Sequence, residues 1–155
     1  MRHLLLGYGE VGRAIGKIIG KHQYITRKKS TWDGKGVNVL HVCIPYSNAF
    51  IKTVKSVRKY ADLVIVHSSV PVGTCDRLGI VHSPVRGVHP NLTRGIMTFV
   101  KYFGGRRAKE ASLIFRKKGI WTRVCKNARI TEALKLWDTS QYGRLIMLEK
   151  EIYRW

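Results

Sequence analysis

The first twenty residues, MRHLLLGYGEVGRAIGKIIG, constrain the fold more than any other part of the chain. An apolar run from His3 to Leu6 leads into Gly7, Gly9 and Gly12. Apolar residues then recur at Val11, Ala14, Ile15, Ile18 and Ile19 with helical spacing. Strand, glycine turn and helix in this order make the G-x-G-x-x-G unit, the fingerprint of dinucleotide binding. Gly7 permits the tight turn, Gly9 lets a pyrophosphate approach the backbone, and Gly12 lets helix and strand pack closely. The helix N-terminus adds unpaired N–H groups and a dipole that favours phosphate. Gly7, Tyr8, Gly9, Glu10, Val11 and Gly12 are therefore the expected cofactor contacts. The other reading is a turn kept for the fold alone, with no ligand on it.

The remaining pattern extends this unit. Strands are expected at HQYITR (22–27), VNVLHVCIP (37–45), ADLVIVHSS (61–69), GIVHSP (79–84), FVKYFGG (99–105) and IWTRVC (120–125). Helices are expected from a Ser47 cap to about Tyr60, over RRAKEASLIFRKKG, and from about Ala128 towards Trp155. Strands alternating with helices, and apolar without a period of two, predict an α/β fold with a doubly wound, mostly parallel sheet. The division is a Rossmann domain over 1–127 and a C-terminal helix over 128–155.

Charge narrows the cofactor. Lys and Arg number 29 against 9 Asp and Glu, a net +20, so the surface attracts polyanions. In a chain that binds NAD, an acid at the end of the second strand holds the ribose hydroxyls. Here that strand runs into Thr26-Arg27-Lys28-Lys29-Ser30, with no acid before Asp33. Arg27 and Lys28 suit a 2′-phosphate, which favours NADP over NAD; a plain basic surface run is the alternative. Elsewhere the basic residues are scattered. Lys52, Lys55 and Lys59 form one face of a helix opposite Phe50, Val54 and Val57. Nucleic-acid binding rests on charge alone, with no groove-reading motif. Cys43, Cys75 and Cys125 lack C-x-x-C spacing and suit a reducing compartment, so the cytoplasm is expected. No apolar run reaches ~18–20 residues, so no membrane span is expected. The LLLGYGEVG segment is also too short for a signal peptide.

A further series is more specific. VCIPYS (42–47), HSSVPVGTC (67–75), HSPVRG (82–87) and YFGG (102–105) occur in that order. With the tail ARITEALKLWDTSQYGRLIMLEKEIYRW, the series resembles the amino-terminal domain of the UDP-glucose/GDP-mannose dehydrogenase family. The wider group of 6-phosphogluconate and β-hydroxyacid dehydrogenases shares much of this layout. The resemblance implies cofactor contacts at Ile44, Pro45, Tyr46, Ser68 and Ser69, with Ser69 in place of the family's threonine near the reacting centre. It places Lys135 on the family's helix lysine, which stabilises charge or binds substrate. It implies hydride transfer to or from a small alcohol or (nucleotide-)sugar, an anionic substrate, and a homodimer built on the last helix. Three departures stand out: Val85 replaces a glutamate, Thr139 replaces an asparagine, and no second half supplies the catalytic cysteine. They favour, as a rival, a non-catalytic nucleotide-binding module or a partner subunit.

Histidines form the last group. His67 and His82 end adjacent strands, so they are expected to approach one another, with one of them as a candidate acid or base. The alternative is burial against backbone. GVHPNL (87–92) is similar to the H-P segment of prephenate dehydrogenases, where a histidine works at the substrate. No ligand spacing among these histidines supports a metal site.

Overall fold

In the computed structural model, which describes residues 1–155, strands and helices alternate from end to end. The order is β1 (His3–Leu6), α1 (Glu10–Ile19), β2 (Gln23–Ile25), β3 (Val37–Val42), α2 (Phe50–Arg58), β4 (Ala61–Val66) and α3 (Thr74–Leu78). It continues with β5 (Val81–His82), α4 (Leu92–Thr98), β6 (Lys101–Gly104), α5 (Ala108–Arg116), β7 (Thr122–Cys125) and α6 (Ala128–Ile152). One sheet holds all seven strands in the order β2-β1-β3-β4-β5-β6-β7. Every pairing is parallel except β5 with β6.

Successive strand residues face opposite sides of a sheet, and the two cores follow from that. Leu5, Val39, Ile65 and Phe103 pack under α1, α4 and α5, against Ile15, Ile18, Ile96 and Phe115. Leu4, Leu6, Leu40, Val42, Val64 and Val66 pack against Phe50, Val54, Cys75, Leu78 and Ala128 from α2, α3 and α6. The doubly wound α/β expectation is met. All seven expected strands form, β1 over the whole of its apolar run and the other six over shorter spans than theirs.

Three local differences have physical causes. Ser47 does not cap α2 with its side chain; a backbone bond from Phe50 N–H to the Ser47 carbonyl, 2.9 Å, starts the turn instead. α3 and α4, of 5 and 7 residues, are too short to carry a periodic signal, so the sequence pattern does not announce them. The chain passes from β2 to β3 without a helix. It makes a turn in which Thr26 N–H bonds to the Lys29 carbonyl at 2.7 Å.

α6 is anchored at one end. Asn127 accepts from Ile130 N–H at 3.2 Å, and Asp76 accepts from Ala128 N–H at 3.1 Å. Ala128, Thr131 and Glu132 are buried, but the rest of the helix is not. Trp137 is 66% exposed, Met147 63% and Ile152 62%. No helix is long and apolar enough to cross a membrane.

Candidate functional site

The glycine turn joins β1 to α1, and its three glycines differ in surroundings as the motif requires. Gly7 has φ +94°, and a Cβ there would lie 2.9 Å from the Cys43 carbonyl group on β3's end. A Cβ on Gly12 would collide with the Gly7 carbonyl oxygen. A Cβ on Gly9 meets nothing within 4 Å. Two glycines are thus fixed by packing, while the third faces open space. Gly9 is also the N-cap of α1, and no side chain caps that end. The first-turn N–H groups have no intrahelical partner, so they are free for an anion.

The surrounding side chains shape this opening. Tyr8 stacks on Tyr24 with centroids 4.3 Å apart, and its hydroxyl lies 3.2 Å from His22 Nε2. Glu10, in the first turn, reaches His89 at 2.6 Å and ties the 87–90 segment across the turn. Val11 is half-buried against the core. At the end of β2, Arg27 and Lys28 sit exposed at the tip of the tight turn, with no acidic partner. Asp33 is engaged elsewhere: its carboxylate accepts from Arg2 at 2.7 and 2.8 Å and from Lys35 N–H at 3.1 Å.

Past the ends of β3 and β4, Ile44 is half-buried while Pro45 and Tyr46 are exposed. Ser68 donates to the Ile44 carbonyl at 2.6 Å, which ties the two strand ends together. Ser69 is exposed with a free hydroxyl. Lys135 lines two neighbouring cavities, of about 300 and 490 Å³. Arg86 and Asp138 line both as well, and they pair at 3.2 Å. Thr139, one turn beyond Lys135, donates to the Lys135 carbonyl at 2.9 Å. These residues gather at the carboxyl edge of the sheet, where open α/β folds bind ligands.

Solved structures share this fold, although no family model and no curated protein matches the sequence. A UDP-D-ManNAc dehydrogenase from Pyrococcus horikoshii matches with a TM-score of 0.73 at 18% identity, over 89% of this chain and 50% of its own. The 3-hydroxyisobutyrate dehydrogenase of Mycobacterium tuberculosis, solved with L-serine, matches at 0.70 and 14% identity, over 88% and 58%. A reductive aminase from Aspergillus terreus, solved with NADPH and ethyl levulinate, matches at 0.66 and 11%, over 94% and 62%. The fold is that of the NAD(P)-binding Rossmann domains of dehydrogenases. The chain spans about half the length of the nucleotide-sugar dehydrogenase it matches.

Within this Rossmann fold, the expected meeting of His67 and His82 does not occur. The two leave the sheet on opposite faces. His67 lies under Phe115 of α5, with Nδ1 2.8 Å from the Ser83 carbonyl. His82 lies under α6, with Nδ1 2.9 Å from the Thr131 hydroxyl and Nε2 3.1 Å from the Ser68 carbonyl. Both are buried with both ring nitrogens engaged, and burial lowers their pKa values, that of His82 to about 4. Val85 is buried in the α1-side core, so its apolar side chain is a packing residue. All three cysteines are free, and burial pushes the Cys43 thiol up to about 12 and raises Cys75 and Cys125 as well. None is poised as a thiolate.

Two residues matter that the sequence pattern did not single out. Glu132, fully buried, accepts from Gly73 N–H at 2.5 Å and from Cys75 N–H at 2.8 Å. It seats the SSVPVGT segment on α6. Lys101 is buried on β6 with no acidic partner. Its only sequence signal is a lone charge inside an otherwise apolar strand.

Proposed function

We propose that this chain binds NADP(H) along the glycine turn and presents the nicotinamide to an anionic alcohol or (nucleotide-)sugar beside Lys135. The observation that carries the reading is the contrast among the three glycines: Gly7 and Gly12 admit no side chain, while Gly9 faces empty space. A turn kept only for packing has no need of a glycine at that third position. The donor set fits the group. Free N–H groups of α1 would hold the pyrophosphate, and the unpaired Arg27 and Lys28 would take the 2′-phosphate. Ile44, Pro45 and Tyr46 would border the adenosine side. The bound cofactor would supply or accept a hydride; Lys135 and Ser69 would orient and polarise the reacting oxygen. The NADPH bound in the Aspergillus terreus aminase supports the choice of cofactor class.

Two finer points belong to the same reading. The exposed apolar residues of α6 support a homodimer formed through that helix. The cytoplasm is the compartment in which these three free thiols would persist.

Calorimetric titration with NADPH and NADH near physiological salt tests the site. Saturable binding, tighter for NADPH, is expected. Gly9→Asp puts a carboxylate where the phosphates would lie and should weaken binding about a hundredfold or more. Replacing Arg27 and Lys28 by Ala should cost NADPH about tenfold and leave NADH unchanged. Equal binding to wild type and Gly9→Asp would remove the turn from the account.

A further inference from the structure

Three histidines and a lysine outside the dinucleotide site form one continuous line beneath α5. His3 is on β1, His41 on β3, His67 just past β4, and Lys101 on β6. His41 is the sheet partner of Leu5, two residues beyond His3, and His67 lies two residues beyond Ile65, the partner of His41 on β4. The line therefore climbs the sheet diagonally, from its amino edge to its carboxyl edge. His3 Nδ1 lies 3.1 Å from His41 Nε2, and His41 Nδ1 lies 3.0 Å from His67 Nε2. His67 Nδ1 is 2.8 Å from the Ser83 carbonyl and 3.5 Å from Lys101 Nζ. Lys101 Nζ also donates to the carbonyls of Ser83 and Pro84, at 3.0 and 3.2 Å. Phe115 covers the rings of His41 and His67 edge-on. At the far end, His3 lines a cavity of about 880 Å³, and its Nε2 has no partner within the chain.

We propose that His3, His41 and His67 are a proton relay between solvent in the amino-edge cavity and the Lys101 amine. The hydrogen bond to Ser83 makes His67 Nδ1 a donor, so its Nε2 accepts from His41 Nδ1–H, and His41 Nε2 accepts from His3 Nδ1–H. All three rings then carry their proton on Nδ1, and His3 Nε2 offers a lone pair to the cavity. A solvent proton bonds to that lone pair. The Nδ1 proton of His3 passes to His41 Nε2, that of His41 to His67 Nε2, and that of His67 to Lys101 Nζ, making an ammonium. Each ring gives one proton and takes one; the single added charge ends on Lys101. Afterwards the rings carry their protons on Nε2; His67 Nδ1 gives up its bond to the Ser83 carbonyl and accepts from Lys101, whose ammonium keeps that carbonyl bonded. The reverse passage restores the first state, so no ring has to flip.

The surroundings suit this task. Burial lowers Lys101 to about 7, so both of its charge states are populated near neutrality. The charged and titratable groups that face the line are the N-terminal amine, Lys118 and His22 near His3, His82 near His67, and Cys43 near Lys101, while Lys21, Asp62, Arg107, Glu110 and Lys117 line the cavity with His3. No carboxylate pairs with any of the four. An ammonium strengthens the bonds to the Ser83 and Pro84 carbonyls. Those residues start the segment that ends on Glu10 through His89, so the proton's arrival stiffens a loop lying across the glycine turn.

Nuclear magnetic resonance on protein labelled at His and Lys nitrogens tests the relay without any cofactor. Through-hydrogen-bond couplings are expected for the His3–His41 and His41–His67 pairs. As the pH falls through about 7, the three rings should switch together from the Nδ1–H to the Nε2–H tautomer while Lys101 charges and no ring does. His3→Gln removes the port at the edge of the fold. Proton exchange at Lys101 should then slow by about tenfold or more, because only opening of the fold remains as a route, with the Lys101 titration still centred near 7. Absent couplings, independent tautomers across the titration, or an unchanged exchange rate in His3→Gln would each overturn the relay.

Discussion

Glu132→Ala is expected to lower the free energy of unfolding by about 2–5 kcal/mol, read as a reduced urea midpoint with unchanged slope. The carboxylate is buried and receives the N–H groups of Gly73 and Cys75 at 2.5 and 2.8 Å. Removing it leaves both donors buried without a partner, at about 1–3 kcal/mol for each. It also cuts the α3–α6 connection, which Asp76 makes from the other side by accepting from Ala128 N–H. Glu132→Gln should recover only part of the loss, since its amide keeps one acceptor and turns an NH2 towards the second donor. Near-wild-type stability in both variants would mean that Glu132 does not seat the SSVPVGT segment.

A second large effect is the dependence of stability on pH. Burial holds His3 and His82 at about 4 against an ordinary 6.5, and holds His41 and His67 well below it. Between those values the unfolded chain binds protons that the folded chain cannot take. Stability therefore rises with pH from about 4 to 6.5. His82 alone contributes a difference of about 3 kcal/mol across that window. Lys101, at about 7 against 10.5, acts with the same sign, so stability rises again above about 7, until the three thiols, raised by burial above their ordinary 9, reverse the slope near that value. Surface repulsion from the +20 charge also weakens as pH rises, but high salt screens it while leaving the buried groups in place. Denaturation series at high salt from pH 4 to 10 should thus show a rise from about 4 to 6.5, a second above about 7, and a fall past about 9 as the thiols of the unfolded chain ionise. A flat profile, or a maximum near pH 5, would mean that these groups are not held neutral in the fold.

The sequence carried the fold because its signals were local and mutually consistent. The glycine turn, its flanking strand and the period of α1 all point to one supersecondary unit. The apolar runs then mark every strand of the sheet. The turn residues were legible for the same reason, since each motif glycine answers to a neighbour or to a space. What stayed hidden depends on which way a residue faces. His67 and His82 stand at neighbouring strand ends, yet neighbours on adjacent strands share a face only when their registers agree. The pairing of Val66 with His82 sets His67 on the other face. The line from His3 to Lys101 needed the same register information across four strands. Glu132 bonds to backbone N–H groups 57 and 59 residues away, contacts that no short pattern announces.

A crystal structure with NADPH at near-physiological salt tests most directly whether a dinucleotide lies along the turn. The pyrophosphate is expected over Gly9 on the first-turn N–H groups of α1, with the 2′-phosphate against Arg27 and Lys28. A cofactor bound elsewhere on the basic surface, for example on the Lys52, Lys55 and Lys59 face of α2, with the turn left bare, would contradict it.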